Sequence, residues 1–170
     1  MDSLQALIDA LETQRIKEIC GVHFGASYEK AKEILENKYG RAEYDFSHSK
    51  QIISFSSKRY AGILFDNIHF LFQNDGERTF MNGCCFILNA KNIEEVKAKR
   101  KMLHDILSQK YQLEEHKDEN GFLYYIGGIS PIDFANGLLI DVVKYEKGIS
   151  WYPYSARLLY GPYNYVTEEF

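Results

Sequence analysis

The sequence predicts an α+β protein: one antiparallel sheet with helices packed on one face. Three observations lead to this fold class. The 170-residue chain has 45% apolar and 26% charged residues, which is the ordinary composition of a globular domain. Segments with helical periodicity are each followed by a group of apolar, strand-like runs. Short turn sequences such as Asn74-Asp75-Gly76 connect neighbouring runs, as antiparallel hairpins require.

Three helices are predicted from apolar stripes and from the capping residues that precede them. Their spans are 3–19, 28–39 and 92–111. One face of the first helix carries four large aliphatic residues: Leu4, Leu7, Ile8 and Leu11. Ser27 and Asn92 cap the second and third helices, and Gly40 ends the second.

The remaining apolar runs are predicted to be strands. Their spans are 51–57, 62–73, 79–89, 122–127, 138–145 and 150–160. Within 138–145, three alternate residues are expected to face the helices: Leu138, Ile140 and Val142. A one-turn helix over 130–136 precedes that strand, and Lys147-Gly148 turns the chain after it. Pro153 cannot donate a ladder hydrogen bond, which predicts an edge or a bulge there.

A repeat at an offset of 72 residues predicts an internal duplication. Residues 34–39 (ILENKY) and 106–111 (ILSQKY) match at four of six positions. At the same offset, the three strands of the first half coincide with three strands of the second half. The sequence therefore predicts an N-terminal helix in 1–20 and two αβββ units, 21–90 and 91–170, in one compact globule. The alternative is that the matching hexapeptides are generic helix sequence.

The segment that opens the first unit runs from Gly21 to Gly40 and reads GVHFGASYEKAKEILENKYG. It resembles the helix that begins the domain of small outer-membrane-assembly lipoproteins, in which three antiparallel strands follow. The order of elements and their spacing are also similar to the β-lactamase-inhibitor-protein-like fold, a tandem pair of such units. The resemblance implies a sheet whose concave face binds another protein, and it does not indicate which protein.

Charge and cysteine content argue against several classes of protein. The formal net charge of −4 disfavours nucleic-acid binding, which depends on Lys and Arg at the phosphates. The sequence contains no stretch of 18 apolar residues, so no membrane span is predicted, and its N-terminus lacks the pattern of a signal peptide. Cys20, Cys84 and Cys85 are odd in number, and two of them are adjacent on one strand. They argue against a disulfide framework, so a reducing, cytoplasmic setting is expected.

No catalytic, phosphate-binding or metal-binding motif is recognisable, and no cofactor is expected. The candidate nucleophile–base pair is Cys84 or Cys85 with His69, because one hairpin pairs the strands that carry them. That hairpin is predicted to set His69 opposite residues 81–83, just short of Cys84. A buried structural role is the alternative for both cysteines.

The sheet face turned away from the helices is predicted to be the binding surface. Its candidate residues are Phe65, His69, Asp141, Tyr145, Trp151 and Arg157. Asp141 lies in mid-strand among apolar residues and needs a partner if it is buried, and Arg157 is the predicted partner. Tyr, Trp and Arg are the residue types that dominate protein interfaces.

These patterns predict a non-catalytic protein-binding module. The alternatives are a small-molecule-binding domain, an enzyme that uses the cysteine–histidine region or the Asp141/Arg157 pair, and a structural homodimer. In a further alternative, the two half-sheets cover each other and leave no face free.

Overall fold

The computed structural model describes residues 2–45, 51–146 and 151–161 and shows an α+β fold. In these residues there are three helices: α1 (Ser3–Glu12), α2 (Tyr28–Tyr39) and α3 (Ile93–Leu107). The strands of the same ranges are β1 (Glu18–Ile19), β2 (Val22–His23), β3 (Tyr44–Asp45), β4 (Ile52–Tyr60), β5 (Ile63–Asn74), β6 (Thr79–Ala90), β7 (Leu113–Lys117), β8 (Leu123–Gly127), β9 (Leu138–Lys144) and β10 (Tyr154–Tyr160). The predicted class is therefore confirmed as α+β.

The main sheet has eight antiparallel strands in the order β3-β4-β5-β6-β10-β9-β8-β7. Consecutive strands are neighbours within β3–β6 and again within β7–β10, so the sheet consists of two meanders. The meanders meet where β6 pairs with β10, and Phe86 lies opposite Leu158 at this junction. The two remaining strands, β1 and β2, form a separate hairpin.

The second and third helices begin at the predicted caps. The Ser27 side chain accepts a hydrogen bond from the Lys30 amide at 3.1 Å. The Asn92 side chain accepts one from the Glu95 amide at 2.9 Å. Gly40 ends α2 with a φ of 86°, a left-handed value that glycine adopts without a steric penalty.

The first helix ends at Glu12 and is therefore shorter than the predicted span 3–19. The Ile16 amide donates to the Ile129 carbonyl at 2.8 Å, and Glu18–Ile19 pairs with β2. Backbone groups that bond to strands cannot also continue a helical ladder. The apolar stripe predicted the helix correctly and ends at Leu11, one residue before the helix does, so the extension to residue 19 was not supported by the stripe.

One hydrophobic cluster joins the sheet to α2 and α3. Its fully buried members include Leu35, Ile68, Phe70, Phe86, Leu103, Ile140, Ala156 and Leu158. Leu138, Ile140 and Val142 belong to it, as predicted from their alternation. We call the strand face that contributes to this cluster the core face. The opposite face of the main sheet is called the second face.

Several predicted boundaries are wrong. The predicted one-turn helix over 130–136 is not helical, because the Ser130 amide donates forward to the Ala135 carbonyl at 2.8 Å. In an α-helix the amide instead donates to the carbonyl four residues earlier in the chain. The last strand begins at Tyr154, and β1, β2, β3 and β7 were not predicted. The predicted Lys147-Gly148 turn lies outside the described residues.

Candidate functional site

The second face is organised in rows that run across the strands. Strand register places six residues in one row: Ser54, His69, Cys85, Leu159, Leu139 and Ile126. The next row contains Ser56, Asn67, Ile87, Arg157 and Asp141. Both rows cross the β6–β10 junction, so polar and apolar side chains from both meanders meet at the centre of this face.

Arg157 and Asp141 form the predicted ion pair in the second row. Arg157 Nε donates to Asp141 Oδ1 at 2.9 Å, and Nη2 donates to Oδ2 at 2.6 Å. The side chains are 30% and 18% exposed, respectively. The hydrogen bonds to Asp141 raise the pKa of the Arg157 guanidinium. A two-point pair of this kind fixes both side chains in one orientation.

His69 lies in the first row, between Ser54 and Cys85. Its Nδ1 atom and Ser54 Oγ are 2.7 Å apart in a hydrogen bond. Burial lowers the pKa of the imidazole, and the nearby Glu43 carboxylate opposes this shift. Because a lowered pKa favours the neutral ring, His69 is a polar, uncharged group at neutral pH.

Cys85 lies directly opposite His69, which corrects the predicted pairing with residues 81–83. The hairpin pairs Asn74 with Thr79, and the β5–β6 register then shifts by one residue next to Leu71. Burial raises the pKa of the Cys85 thiol to about 11, although Arg157 acts in the opposite direction. A protonated thiol is a poor nucleophile.

Tyr145 contacts the second face through a chain of hydrogen bonds. Its hydroxyl donates to Ser155 Oγ at 3.0 Å, and Ser155 Oγ donates to Asn89 Oδ1 at 3.0 Å. The tyrosine is 39% exposed, and its hydroxyl is held by this hydrogen bond. The prediction did not include Ser155 and Asn89, which are polar positions on otherwise apolar strands.

Phe65 was predicted on this face, and the structure places it in the core with no exposed surface. Simple alternation fails because both strands of the β4–β5 pair change face near Ser57 and Asp66. Ser57 has a φ of 55°, and Asp66 Oδ2 accepts a hydrogen bond from the Asn89 amide at 2.7 Å. As a result Phe65 shares the core face with Ile68, an odd and an even position of one strand.

Trp151 was predicted to share a strand face with Arg157. It lies ahead of β10, which begins at Tyr154, and its side chain is 93% exposed. The indole is therefore accessible next to the sheet, at a position that strand alternation does not fix.

A surface pocket of about 370 Å³ lies on the second face. Residues that line it include Leu71, Gly83, Ile126, Leu139 and Leu159. A Cβ atom on Gly83 would lie 2.8 Å from the Tyr160 carbonyl oxygen, so this strand position requires glycine. Sequence reasoning missed the pocket, and a glycine inside an apolar strand was the available signal for it.

Comparisons with known proteins give no further guide to the site. A scan of protein-family models, a search of curated proteins and a search of solved structures found no match to this chain. Within 2–45, 51–146 and 151–161, no three His, Cys, Asp or Glu side chains converge as metal ligands would. No helix in those ranges has the length and apolar character needed to cross a bilayer.

Proposed function

We propose that this protein is a non-catalytic protein-binding module whose binding surface is the second face. The observation that carries the proposal is the Arg157–Asp141 pair, half-buried between apolar residues of neighbouring strands. Interface centres are enriched in Arg and in apolar side chains, and here Arg157 lies among partly exposed Ile and Leu side chains with its charge neutralised by Asp141. The accessible Tyr145 and Trp151 are of residue types that contribute strongly to protein binding.

The arrangement of the helices supports the same assignment. In the proposal α2 and α3 cover the core face alone, since their buried side chains belong to the cluster of that face. The second face then retains partly exposed apolar residues on five strands: Leu71, Ile87, Ile126, Leu139 and Leu159. Contiguous apolar surface of this kind is typical of interaction sites.

The proposal includes a tandem pair of αβββ units, one built on α2 and one on α3. Phe86 and Leu158 are 72 residues apart and lie opposite each other, as the central pair of a twofold duplication would. The cross-strand pair His69–Cys85 has its equivalent at the same offset in Asp141–Arg157. This supports one binding face assembled from both units, in line with the β-lactamase-inhibitor-protein-like resemblance.

A cytoplasmic location remains part of the proposal and is supported by the three unpaired thiols. The raised thiol pKa of Cys85 supports binding over catalysis. A small-molecule site is the second candidate, because the pocket volume of about 370 Å³ is within the usual range for ligand sites. A neutral fluorescent probe that binds wild type and not a Leu159→Asp variant would favour this second candidate.

The test of protein binding is comparative capture from an extract of the source cells, with quantitative mass spectrometry. Leu139→Lys places a charge on the second face, and Met102→Lys makes a comparable change on an exposed apolar residue of α3. We expect a partner that is captured by wild type and by Met102→Lys and is lost with Leu139→Lys. Equal capture by all three proteins, each with the wild-type thermal midpoint, would contradict the proposal.

A further inference from the structure

Helix α1 exposes every residue that it contains. Its apolar stripe consists of Leu4, Leu7, Ile8 and Leu11, which are 63%, 56%, 44% and 41% exposed. None of these side chains enters the hydrophobic cluster of the domain. An amphipathic helix normally buries such a stripe, so α1 carries an apolar surface that the described residues 2–45, 51–146 and 151–161 leave uncovered.

The helix is well formed in spite of this. Asp2 accepts a hydrogen bond from the Gln5 amide at 2.9 Å, and Gln5 donates to Asp9 at 2.9 Å. At its other end Gln14 bonds the backbone of Lys110 and Gln112. A ten-residue helix has little stability by itself in water, so burial of the stripe would supply the missing stabilisation.

The stripe is complementary to itself when two helices run antiparallel. A twofold axis between Leu7 and Ile8 places these two residues opposite each other and places Leu4 opposite Leu11. This is the self-complementary arrangement that a symmetric dimer requires. The twofold rotation therefore brings the apolar positions of one helix onto the apolar positions of the other.

The charges of α1 fit the same pairing. Asp9 would lie opposite Ala6, and Glu12 opposite Ser3, so no acidic residue meets another. Asp9 is also on the far side of the helix from the stripe, at 100° per residue. The helix contains no Lys or Arg, which disfavours attachment to an anionic membrane surface.

Two further apolar residues extend this surface beyond the C-terminal end of α1. Phe134 is 77% exposed and Ile132 is 42% exposed. The Arg15 guanidinium lies 5.3 Å from the Phe134 ring centre, which places this loop next to the end of the helix. An antiparallel partner helix would extend past Leu11 towards the same loop.

We propose that α1 mediates a twofold homodimer in which the stripes of two copies pack antiparallel. The stripe and the two loop residues expose roughly 500 Å² per copy, near the upper end for patches on monomers. Two copies together would bury about 1,000 Å², which is the minimum area expected of a biological interface. The dimer uses a surface separate from the second face and does not depend on the function proposed for that face.

The test is the molar mass of the full chain, measured by light scattering and sedimentation at several concentrations. We expect wild type to have twice the 19.8 kDa mass of a single chain. Leu7→Glu has the single-chain mass, because a carboxylate in the apolar seam weakens association by at least about a hundredfold. Ala10→Glu adds the same charge outside the stripe, opposite the uncharged Gln5 in this register, and remains dimeric at physiological salt, where exposed charges are screened.

Charge complementation tests the register. Ile8→Lys and Leu7→Glu are each expected to be monomeric, and their mixture forms a heterodimer, because the introduced ammonium of one copy meets the introduced carboxylate of the other. A wild-type monomer at every concentration overturns the proposal, and so does a Leu7→Glu dimer. A mixture that stays monomeric overturns the antiparallel pairing. A wild-type monomer that co-sediments with phosphatidylcholine vesicles would assign the stripe to a lipid surface instead.

Discussion

Replacing Arg157 and Asp141 singly and together by Leu tests whether the centre of the second face is a coupled pair. The Asp141 side chain is the more buried of the two, 18% against 30% exposed. Arg157→Leu leaves this carboxylate without its partner, and we expect a loss of about 2–3 kcal/mol in the free energy of unfolding. Asp141→Leu costs less, about 1–2 kcal/mol, because a long arginine side chain can turn its charge towards water.

The double variant is expected to lose no more than about 1 kcal/mol, since Leu at both positions packs with Ile87, Leu139 and Leu159. The coupling energy is then at least about 2 kcal/mol, well above the value for exposed pairs. Urea unfolding followed by far-UV circular dichroism measures it. Trp151 is too exposed for its fluorescence to report reliably on unfolding.

Lys101 and Asp105 provide the control. Their charged atoms are also 2.6 Å apart, but the side chains are 74% and 52% exposed on α3. We expect no measurable coupling there, because water screens the pair. If the Arg157 and Asp141 losses were simply additive, or if both pairs showed equal coupling, burial would not be what strengthens the central pair. The assignment of an interface centre would then lose its basis.

Three further predictions concern the core and the titrating groups. Leu103→Ala removes a fully buried side chain and lowers the unfolding free energy by about 2–5 kcal/mol in urea titrations, whereas Met102→Ala on the same helix has little effect. In the folded protein Cys85 is alkylated slowly at neutral pH and faster as pH approaches its pKa of about 11, read by peptide mass spectrometry. Burial lowers the pKa of His69 below the ordinary 6.5, so the unfolded state binds the proton first and stability is lost as pH falls through 6.5. His69→Gln should remove this part of the pH dependence of unfolding, and an unchanged profile would show that His69 does not cause it.

Much of the fold could be predicted because local signals agree with tertiary structure. The caps at Ser27 and Asn92 and the turn at Asn74-Asp75-Gly76 each depend on a short sequence whose geometry the structure retains. The strand β7 (LEEHK) was missed because it is polar and lies at the edge of the sheet. Charged residues protect an edge strand from unwanted pairing, and they also remove the apolar pattern by which a strand is recognised.

The candidate site was predicted in part, and the error at Phe65 has a clear physical origin. Asp141, Arg157 and His69 share one face of the sheet, because their strands alternate regularly around them. Phe65 was misplaced because the Ser57–Asp66 irregularity reverses the alternation of two paired strands at once. A residue-by-residue pattern carries no information about such a change of face, since it does not indicate that Ser57 adopts a positive φ.

The pairing of residues across β5 and β6 could not be predicted for the same reason. The hairpin pairs Asn74 with Thr79, which by itself would set Cys84 opposite His69, and the one-residue shift beside Leu71 then brings Cys85 to that position. In the proposed duplication, this contact is the counterpart of the Asp141–Arg157 pair. The two units would then contribute equivalent positions to one face with different chemistry, a neutral imidazole and thiol in one and a charge pair in the other. A partner that binds across both rows would meet an asymmetric surface on a twofold scaffold, which permits only one orientation of binding. This can be tested by exchanging the two pairs: His69→Asp and Cys85→Arg in one unit, with Asp141→His and Arg157→Cys in the other. We expect the exchanged protein to keep its fold and to lose any partner that is also lost with Leu139→Lys. Undiminished binding by the exchanged protein would show that the partner does not contact these rows.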